Sequence, residues 1–267
     1  MKIIILGNGN AGKYINNFLS ESFECIVFTR KDFNAASTDF KFLTSILNPG
    51  DIVINCVGIL KPNINMVGVE NTFLINSTFP NSLNQICNSN NSHFIHICSD
   101  CVFAGDKGNY NEDDVTDAKD IYAISKKLVK SGTIIRTSFI GKYSGLLKWV
   151  LENENKSIDG YDNCIWNGVT ALELAKFIKE NIVNNTLWQG VKHLHSPHKI
   201  SKYELCKLIN NIYSLNIDIK KTLASSIENQ KINKILDRSL STKFNLNINS
   251  LEVQLNEMKI FDEKHSK

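Results

Sequence analysis

Through the first half of the chain, short apolar runs alternate with longer amphipathic stretches. Lys2 to Leu6, Cys25 to Thr29, Asp51 to Cys56, His93 to Ser99 and Thr133 to Thr137 predict strands. Gly12 to Glu21, Thr38 to Leu47, Asn71 to Asn88 and Asp120 to Lys130 predict the helices between them. Such alternation makes βαβ units, whose right-handed crossovers cover both faces of a parallel sheet. The predicted fold is therefore α/β, a Rossmann-type doubly wound parallel sheet with ligands at the carboxyl ends of its strands. Those ends carry unusual residues: Gly7, Arg30, Asn55 with Gly58, and Ser99.

After Arg136 the pattern loosens. A helix is expected over Leu146 to Glu152, and a second over Ala171 to Ile182 with Thr170 as N-cap and Glu173 completing a capping box. Gly190 to His195 predicts a strand, and Ser201 to Glu204 opens another capped helix reaching about Tyr213. The charged tail from about Asn256 is expected to fray.

Composition narrows the function. At 267 residues the chain suffices for one large domain or two small ones. Its net charge of +3 comes from interspersed Lys/Arg and Asp/Glu, so no electrostatic footprint for nucleic acid exists. The opening apolar run, Ile3 to Leu6, is too short for a signal segment, and no run approaches the roughly 20 residues of a membrane helix. A soluble, cytoplasmic protein is expected, and seven cysteines, an odd number, agree with a reducing compartment. Asn76-Ser-Thr78 is then an accidental glycosylation match.

Cys98 and Cys101 have redox spacing, but a strand leads into them and no helix N-terminus activates either thiol, so both read as packing residues. His193, His195 and His198 lack partners for a four-ligand site, and no metal is expected. Trp149, Trp166 and Trp188 read as packing or interface residues.

The N-terminus carries Gly7-Asn-Gly9-Asn10-Ala11-Gly12 between a strand and a helix, the context in which G-x-G-x-x-G seats a dinucleotide pyrophosphate. Gly7 turns the chain, Gly9 admits the phosphates, and Gly12 lets helix and strand pack closely. The second strand ends in Arg30-Lys31, two cations suited to a 2′-phosphate, so NADPH is the expected cofactor. Asp32 nearby keeps NADH open.

Reducing a ketone leaves negative charge on oxygen, which calls for a proton donor and hydrogen bonds aimed at that atom. Tyr122 and Lys126 lie one helical turn apart, where the Lys126 charge is expected to lower the phenol pKa from its usual value of about 10. Ser99 supplies a hydroxyl at the end of the fourth strand. Catalysis is assigned to Ser99, Tyr122 and Lys126, with Lys126 also reaching the nicotinamide ribose.

With these residues in place, the chain resembles the extended short-chain dehydrogenase/reductases, and within them the dTDP-4-dehydrorhamnose reductase-like nucleotide-sugar reductases. The likeness runs from residue 1 to about 245. It rests on Val53-Ile-Asn55-Cys-Val-Gly58, Ile97-Cys-Ser99-Asp100-Cys-Val-Phe103-Ala-Gly105, Tyr110-Asn-Glu112-Asp113, Tyr122-Ala-Ile-Ser-Lys126 and Ile135-Arg136-Thr137-Ser138. Asn167 to Ala175 and Ile200 to Leu205 extend it.

The resemblance implies NADPH-dependent reduction of the 4-keto group of a dTDP- or UDP-linked 4-keto-6-deoxy-hexose. Gly7, Gly9, Asn10, Ala11, Gly12, Arg30, Lys31, Asn55, Cys56, Val57 and Lys126 would hold the cofactor. Asp100, Val102, Phe103 and Phe139 would face the sugar. It also implies a cofactor domain at 1–142, to which 166–195 returns, and a substrate portion at 143–165 and 196–267.

The chain departs from the family pattern in a glycine loop one residue tighter, Ser99 for Thr, Cys101 for Tyr, Phe139 for Trp, and Lys130 for an acid. A homodimer stays open, though Lys130 argues against a metal-linked one. So do an additional epimerase activity, using Cys56 or His195 as extra acid/base, and a non-catalytic nucleotide-binding subunit of the same fold.

Overall fold

The computed structural model describes residues 1–37, 39–224 and 235–265. In the first half its elements are β1 (Lys2–Leu6), α1 (Asn10–Leu19), β2 (Glu24–Phe28), α2 (Lys41–Thr44), β3 (Ile52–Asn55), α3 (Ile64–Val67), α4 (Val69–Phe73), α5 (Phe79–Ser89), β4 (His93–Ser99), α6 (Ile121–Lys127) and β5 (Thr133–Thr137). There follow β6 (Phe139–Ile140), α7 (Leu146–Leu151), β7 (Ser157–Tyr161), β8 (Cys164–Trp166), β9 (Val169–Thr170), α8 (Ala171–Val183), β10 (Gly190–His193), β11 (Ile200–Ser201), α9 (Lys202–Tyr213), β12 (Asp218–Thr222), β13 (Leu236–Asp237) and α10 (Leu251–Lys264). The chain forms two compact units. The first is built from Met1–Phe103, Val115–Arg136 and Ala175–Lys192, and the second from Ala104–Asp114, Thr137–Leu174 and His193–Lys267.

The first unit holds a six-stranded sheet of order β10-β5-β4-β3-β1-β2, with β1–β2, β1–β3 and β3–β4 all paired in parallel. From β1 the chain first crosses to β2 on one side and then back to β3 on the other. The strand order therefore reverses between β1 and β3, which opens a ligand crevice at their carboxyl ends. Alternation along the strands decides which residues face which helices. Ile4, Leu6, Val53 and Phe94 pack with Phe79, Leu83 and Cys87 of α5 and Leu43 of α2, and the alternating Ile3 and Ile5 are equally buried.

Two predicted helices differ in form. The stretch expected as one helix over 71–88 is α4, a π-helical turn at Leu74–Thr78, and α5. Pro80 is the physical reason: it has no N–H to donate four residues back, and the backbone widens ahead of it, with the Phe79 N–H reaching the Leu74 carbonyl. The helix expected over 38–47 begins outside the described residues and is a single turn, set among the stacked rings of Phe33, Phe40, Phe42 and Phe79.

The second unit contains short strands that the hydrophobic pattern did not reveal: a β11-β8-β13 sheet, a parallel β12–β7 pair and a parallel β6–β9 pair. Thr170 caps α8, the Glu173 N–H donating to its Oγ1 at 3.1 Å, but the Thr170 N–H donates to Gln254, and the expected reciprocal bond from Glu173 is not part of the cap; Ser201 with Glu204 forms a full capping box that starts α9. The tail expected to fray is instead α10. It buries Leu255 and Met258 and is anchored by Gln254, whose carbonyl accepts from Thr170 N at 2.9 Å and whose amide donates to Ser196 Oγ at 3.0 Å.

Candidate active site

Gly7 leaves β1 with φ +98, a conformation natural to glycine, and its N–H donates to the Phe28 carbonyl of β2 at 2.8 Å. A Cβ at Gly12 would lie 1.9 Å from the Gly7 carbonyl oxygen, whereas one at Gly9 would meet nothing within 4 Å. The loop is therefore closed on its inner side and open at Gly9, which caps α1. Asn10 begins that helix, and Ala11 and Gly12 are buried in its first turn. Open backbone at a helix N-terminus accepts phosphate, so the residues fit a dinucleotide. Val57 and Cys56 pack against Gly7 from the end of β3.

Arg30 and Lys31 are exposed just beyond β2. The Asp32 carboxylate turns back and accepts from the Thr29 N–H at 2.6 Å and the Thr29 hydroxyl at 2.8 Å. These bonds hold its pKa below the usual carboxylate range. The one acid in this turn is thus engaged by its own loop, and the two cations remain at the surface.

Ser99 ends β4 and caps a short 3-10 turn: its Oγ accepts from Cys101 N at 3.1 Å and donates to Asp100 Oδ1 at 3.2 Å. Asp120 caps α6, accepting from Ala123 N at 3.0 Å. That helix presents Tyr122 and Lys126, both buried. The Ser99 hydroxyl lies close enough to the Tyr122 phenol to favour its ionised form, so these two predicted residues meet.

The expected net lowering of the phenol pKa is corrected. Burial pushes the Tyr122 pKa up and the nearby Cys101 reinforces this, while Ser99 lowers it. Lys126 faces elsewhere, with Nζ 3.2 Å from His96 Nε2 and donating to the Ile97 carbonyl at 3.0 Å. Burial also lowers the Lys126 pKa.

Among the residues expected to face the sugar, Asp100 lies beside Ser99 and is 6% exposed. Val102 and Phe103 have no exposed surface; they are core residues that fix the loop, the Phe103 ring lying 5.2 Å beneath the Arg136 guanidinium. Their expected contact with substrate is corrected accordingly, since fully buried side chains cannot reach it. Phe139, half-buried in β6, belongs to the second unit.

Sequence reasoning missed the polar residues behind the site. The π-turn carries Asn76, whose amide donates to Ser125 Oγ at 3.0 Å and the Ile59 carbonyl at 3.0 Å, and whose oxygen accepts from Ile59 N at 2.7 Å. Ser77 donates to the Ser125 carbonyl at 2.6 Å. Asn55 and His96 join inside the sheet, Nδ2 to Nδ1 at 3.1 Å. The available signal was a buried-strand pattern interrupted by Asn and His, and an Asn four residues ahead of a helical proline.

Cys98 packs as expected, its thiol donating to the Lys126 carbonyl at 3.8 Å. His193 serves the second unit's backbone, Nδ1 lying 2.9 Å from the Ser241 carbonyl. Among the described residues, no group of three His, Cys, Asp or Glu could hold a metal. The Trp166 indole bonds Ser138 and that of Trp188 bonds the Gly190 carbonyl, while Trp149 stays partly exposed. No helix among the described residues is long and apolar enough to cross a membrane.

The family model described as the RmlD substrate binding domain matches residues 1–256. The chain belongs to this family. Among solved structures, a dTDP-4-dehydrorhamnose reductase from Bacillus anthracis in complex with NADP is 21% identical, with a TM-score of 0.82 over 97% of this chain and 99% of that one. One from Clostridium acetobutylicum is 18% identical, with a TM-score of 0.80 over 98% of this chain and 100% of that one. A UDP-glucose 4-epimerase from Thermotoga maritima, solved with UDP-glucose, shares the fold at 14% identity and a TM-score of 0.76, each chain covered in full. No curated protein matches the chain in sequence.

Proposed function

We propose that this RmlD-family chain reduces the 4-keto group of a nucleotide-linked 4-keto-6-deoxy-hexose with NADPH. The observation that carries the reading is the meeting of Ser99 and Tyr122 at the end of a strand next to the crevice beside the Gly7–Gly12 loop. When bound, the reduced nicotinamide supplies the hydride. Tyr122 gives its phenolic proton to the developing alkoxide, and a phenol kept neutral by burial is loaded for that donation. Ser99 orients the carbonyl by hydrogen bonding, and Asp100, whose carboxylate already accepts from Ser99, contacts the sugar. Gly9, Asn10 and Ala11 hold the pyrophosphate at the start of α1, and Arg30 and Lys31 take the 2′-phosphate, a preference supported by the engagement of Asp32 with Thr29. The first unit is assigned to the cofactor, and the second to the substrate.

An added epimerase activity through Cys56 is disfavoured: burial pushes that thiol up to about 12, leaving it protonated and a poor base at neutral pH. The deciding experiment offers dTDP- and UDP-linked 4-keto-6-deoxy sugars, with and without a 2-acetamido group, together with NADPH, and follows loss of the reduced nicotinamide absorbance. Consumption of NADPH dependent on one of these sugars is the expected result. Tight NADPH binding without consumption on any of them would make the chain a nucleotide-binding subunit instead.

A further inference from the structure

A cavity of about 430 Å³ lies in the first unit, where β4, β5 and β10 begin. It is remote from the candidate active site, because Ser99 ends β4 and the seven residues of that strand put its start about 20 Å away. Its volume falls within the roughly 300–1,000 Å³ of small-molecule sites.

The polar groups that line it are short of protein partners. The Asn88 and Asn91 carboxamides hydrogen-bond to nothing among the described residues. Ser92 and Thr133, both buried, donate inward, to the Asn48 carbonyl at 2.9 Å and the Trp188 carbonyl at 2.5 Å, so each hydroxyl oxygen keeps lone pairs for an incoming donor. Gln189 Oε1 accepts from the Gly132 N–H at 3.1 Å, which leaves its NH2 group to donate.

Beside this lining is a second sign of a missing partner. Asn84, one turn before Asn88 on the same face of α5, is 6% exposed, and its Oδ1 is buried with no hydrogen bond. It stands against the Phe94 ring of the cavity wall: a Cβ on Gly132 would lie 2.7 Å from that ring and 2.9 Å from Asn84 Oδ1. A buried carbonyl left unpaired is costly, and the protein supplies no donor for it.

The lining also narrows the chemistry of what would bind. Among the described residues it carries one histidine, His93, and no Asp, Glu, Lys or Arg, so nothing there pairs with a formal charge. Little aromatic face is left to stack a planar base. Lys192 covers the Trp188 ring, with Nζ 4.4 Å from the centroid, Phe177 packs beside that ring, and Phe94 is buried. The Trp188 indole N–H is already given to the Gly190 carbonyl. What remains is carboxamides and hydroxyl oxygens that both donate and accept, next to the aliphatic Leu187. Alcohol groups on a carbon ring are the complement of that set.

We propose that this cavity binds a neutral hexose ring, as a free sugar or as the end of a glycan. The site goes beyond the proposed reductase activity and does not depend on it.

The test uses the full chain without NADPH or any 4-keto sugar. Glucose, galactose, mannose and rhamnose, each free and as its methyl glycoside, are titrated while NMR follows the Asn88 side-chain amide, assigned through its backbone. Glucose 6-phosphate and adenosine serve as the charged and planar controls. At least one neutral sugar is expected to shift the amide saturably at one site per chain, and Asn88→Leu should weaken that binding about fivefold or more at unchanged Tm. Tighter binding of methyl glycosides would assign the site to glycan ends, and of free sugars to monosaccharides; either upholds it. An amide that no neutral sugar moves, one moved only by glucose 6-phosphate or adenosine, or undiminished binding by folded Asn88→Leu would each overturn the proposal. Should Asn88→Leu fail to fold, the wild-type titrations still decide.

Discussion

The Asn76 carboxamide and the Ser125 hydroxyl meet at 3.0 Å, tying the π-turn to the helix that carries Tyr122 and Lys126. Asn76 has no exposed surface and serves three partners. Removing it takes away the partner of both Ile59 backbone groups and of Ser125 Oγ. Asn76→Ala should cost about 2–4 kcal/mol, read as a lower urea midpoint at unchanged slope, with turnover falling alongside.

Tyr122→Phe keeps the ring's packing and removes only the hydroxyl that meets Ser99. Turnover should fall by about 10²–10⁴-fold while NADPH affinity stays within a few-fold, measured by steady-state rates and fluorescence titration. Retained turnover would remove Tyr122 as the proton donor.

At the second strand's end, Arg30→Glu places a carboxylate where a 2′-phosphate is expected. Because Asp32 stays engaged with Thr29, the new acid alone should set the change, moving the NADPH to NADH ratio of kcat/KM toward NADH by about tenfold or more. An unaltered ratio would rule out Arg30 as the phosphate contact.

Gly12→Ala drives a methyl group into the Gly7 carbonyl, 1.9 Å away, where only backbone can give. A loss of about 1–3 kcal/mol or more is expected, visible as a lower Tm, together with weakened dinucleotide binding. Gly9→Ala, which meets nothing within 4 Å, should leave Tm nearly unchanged and so separates the two effects.

Glu112 stitches the second unit: its carboxylate accepts from Thr242 Oγ1 at 2.5 Å, His193 N at 2.8 Å and Lys243 N at 3.2 Å. Burial raises its pKa, but the Thr242 and His193 hydrogen bonds outweigh this and hold it below the ordinary 4.5. A carboxyl depressed on folding stabilises the protein above its unfolded value, and the gain disappears as pH falls through the folded one. Stability should therefore decline below about pH 4.5, and Glu112→Gln should flatten that decline in urea titrations from pH 6 to 3 while lowering stability at pH 7.

The sheet and the site's outline were legible in the residues for a physical reason. Buried parallel strands need unbroken apolar runs, and glycines, a strand-end Ser and a Tyr/Lys pair one turn apart have few other uses together. The second unit hid because its strands are short, two to five residues, and half-exposed, so β7 and β12 offer no run long enough to read. The helix α10 hid because its anchor is a glutamine, a polar residue whose burial depends on Thr170 and Ser196 far away in the chain. Likewise, Lys126 was assigned to Tyr122 by helical spacing alone. His96, thirty residues earlier, competes for it only once β4 and α6 are packed.

The three-segment build of each unit also bears on how the protein emerges from the ribosome. The first unit lacks one edge strand, β10, until residue 192 has been made, after residues 104–114 and 137–174 of the second unit. Released chains that end near residue 140 would thus expose the edge of β5 to pairing with other chains.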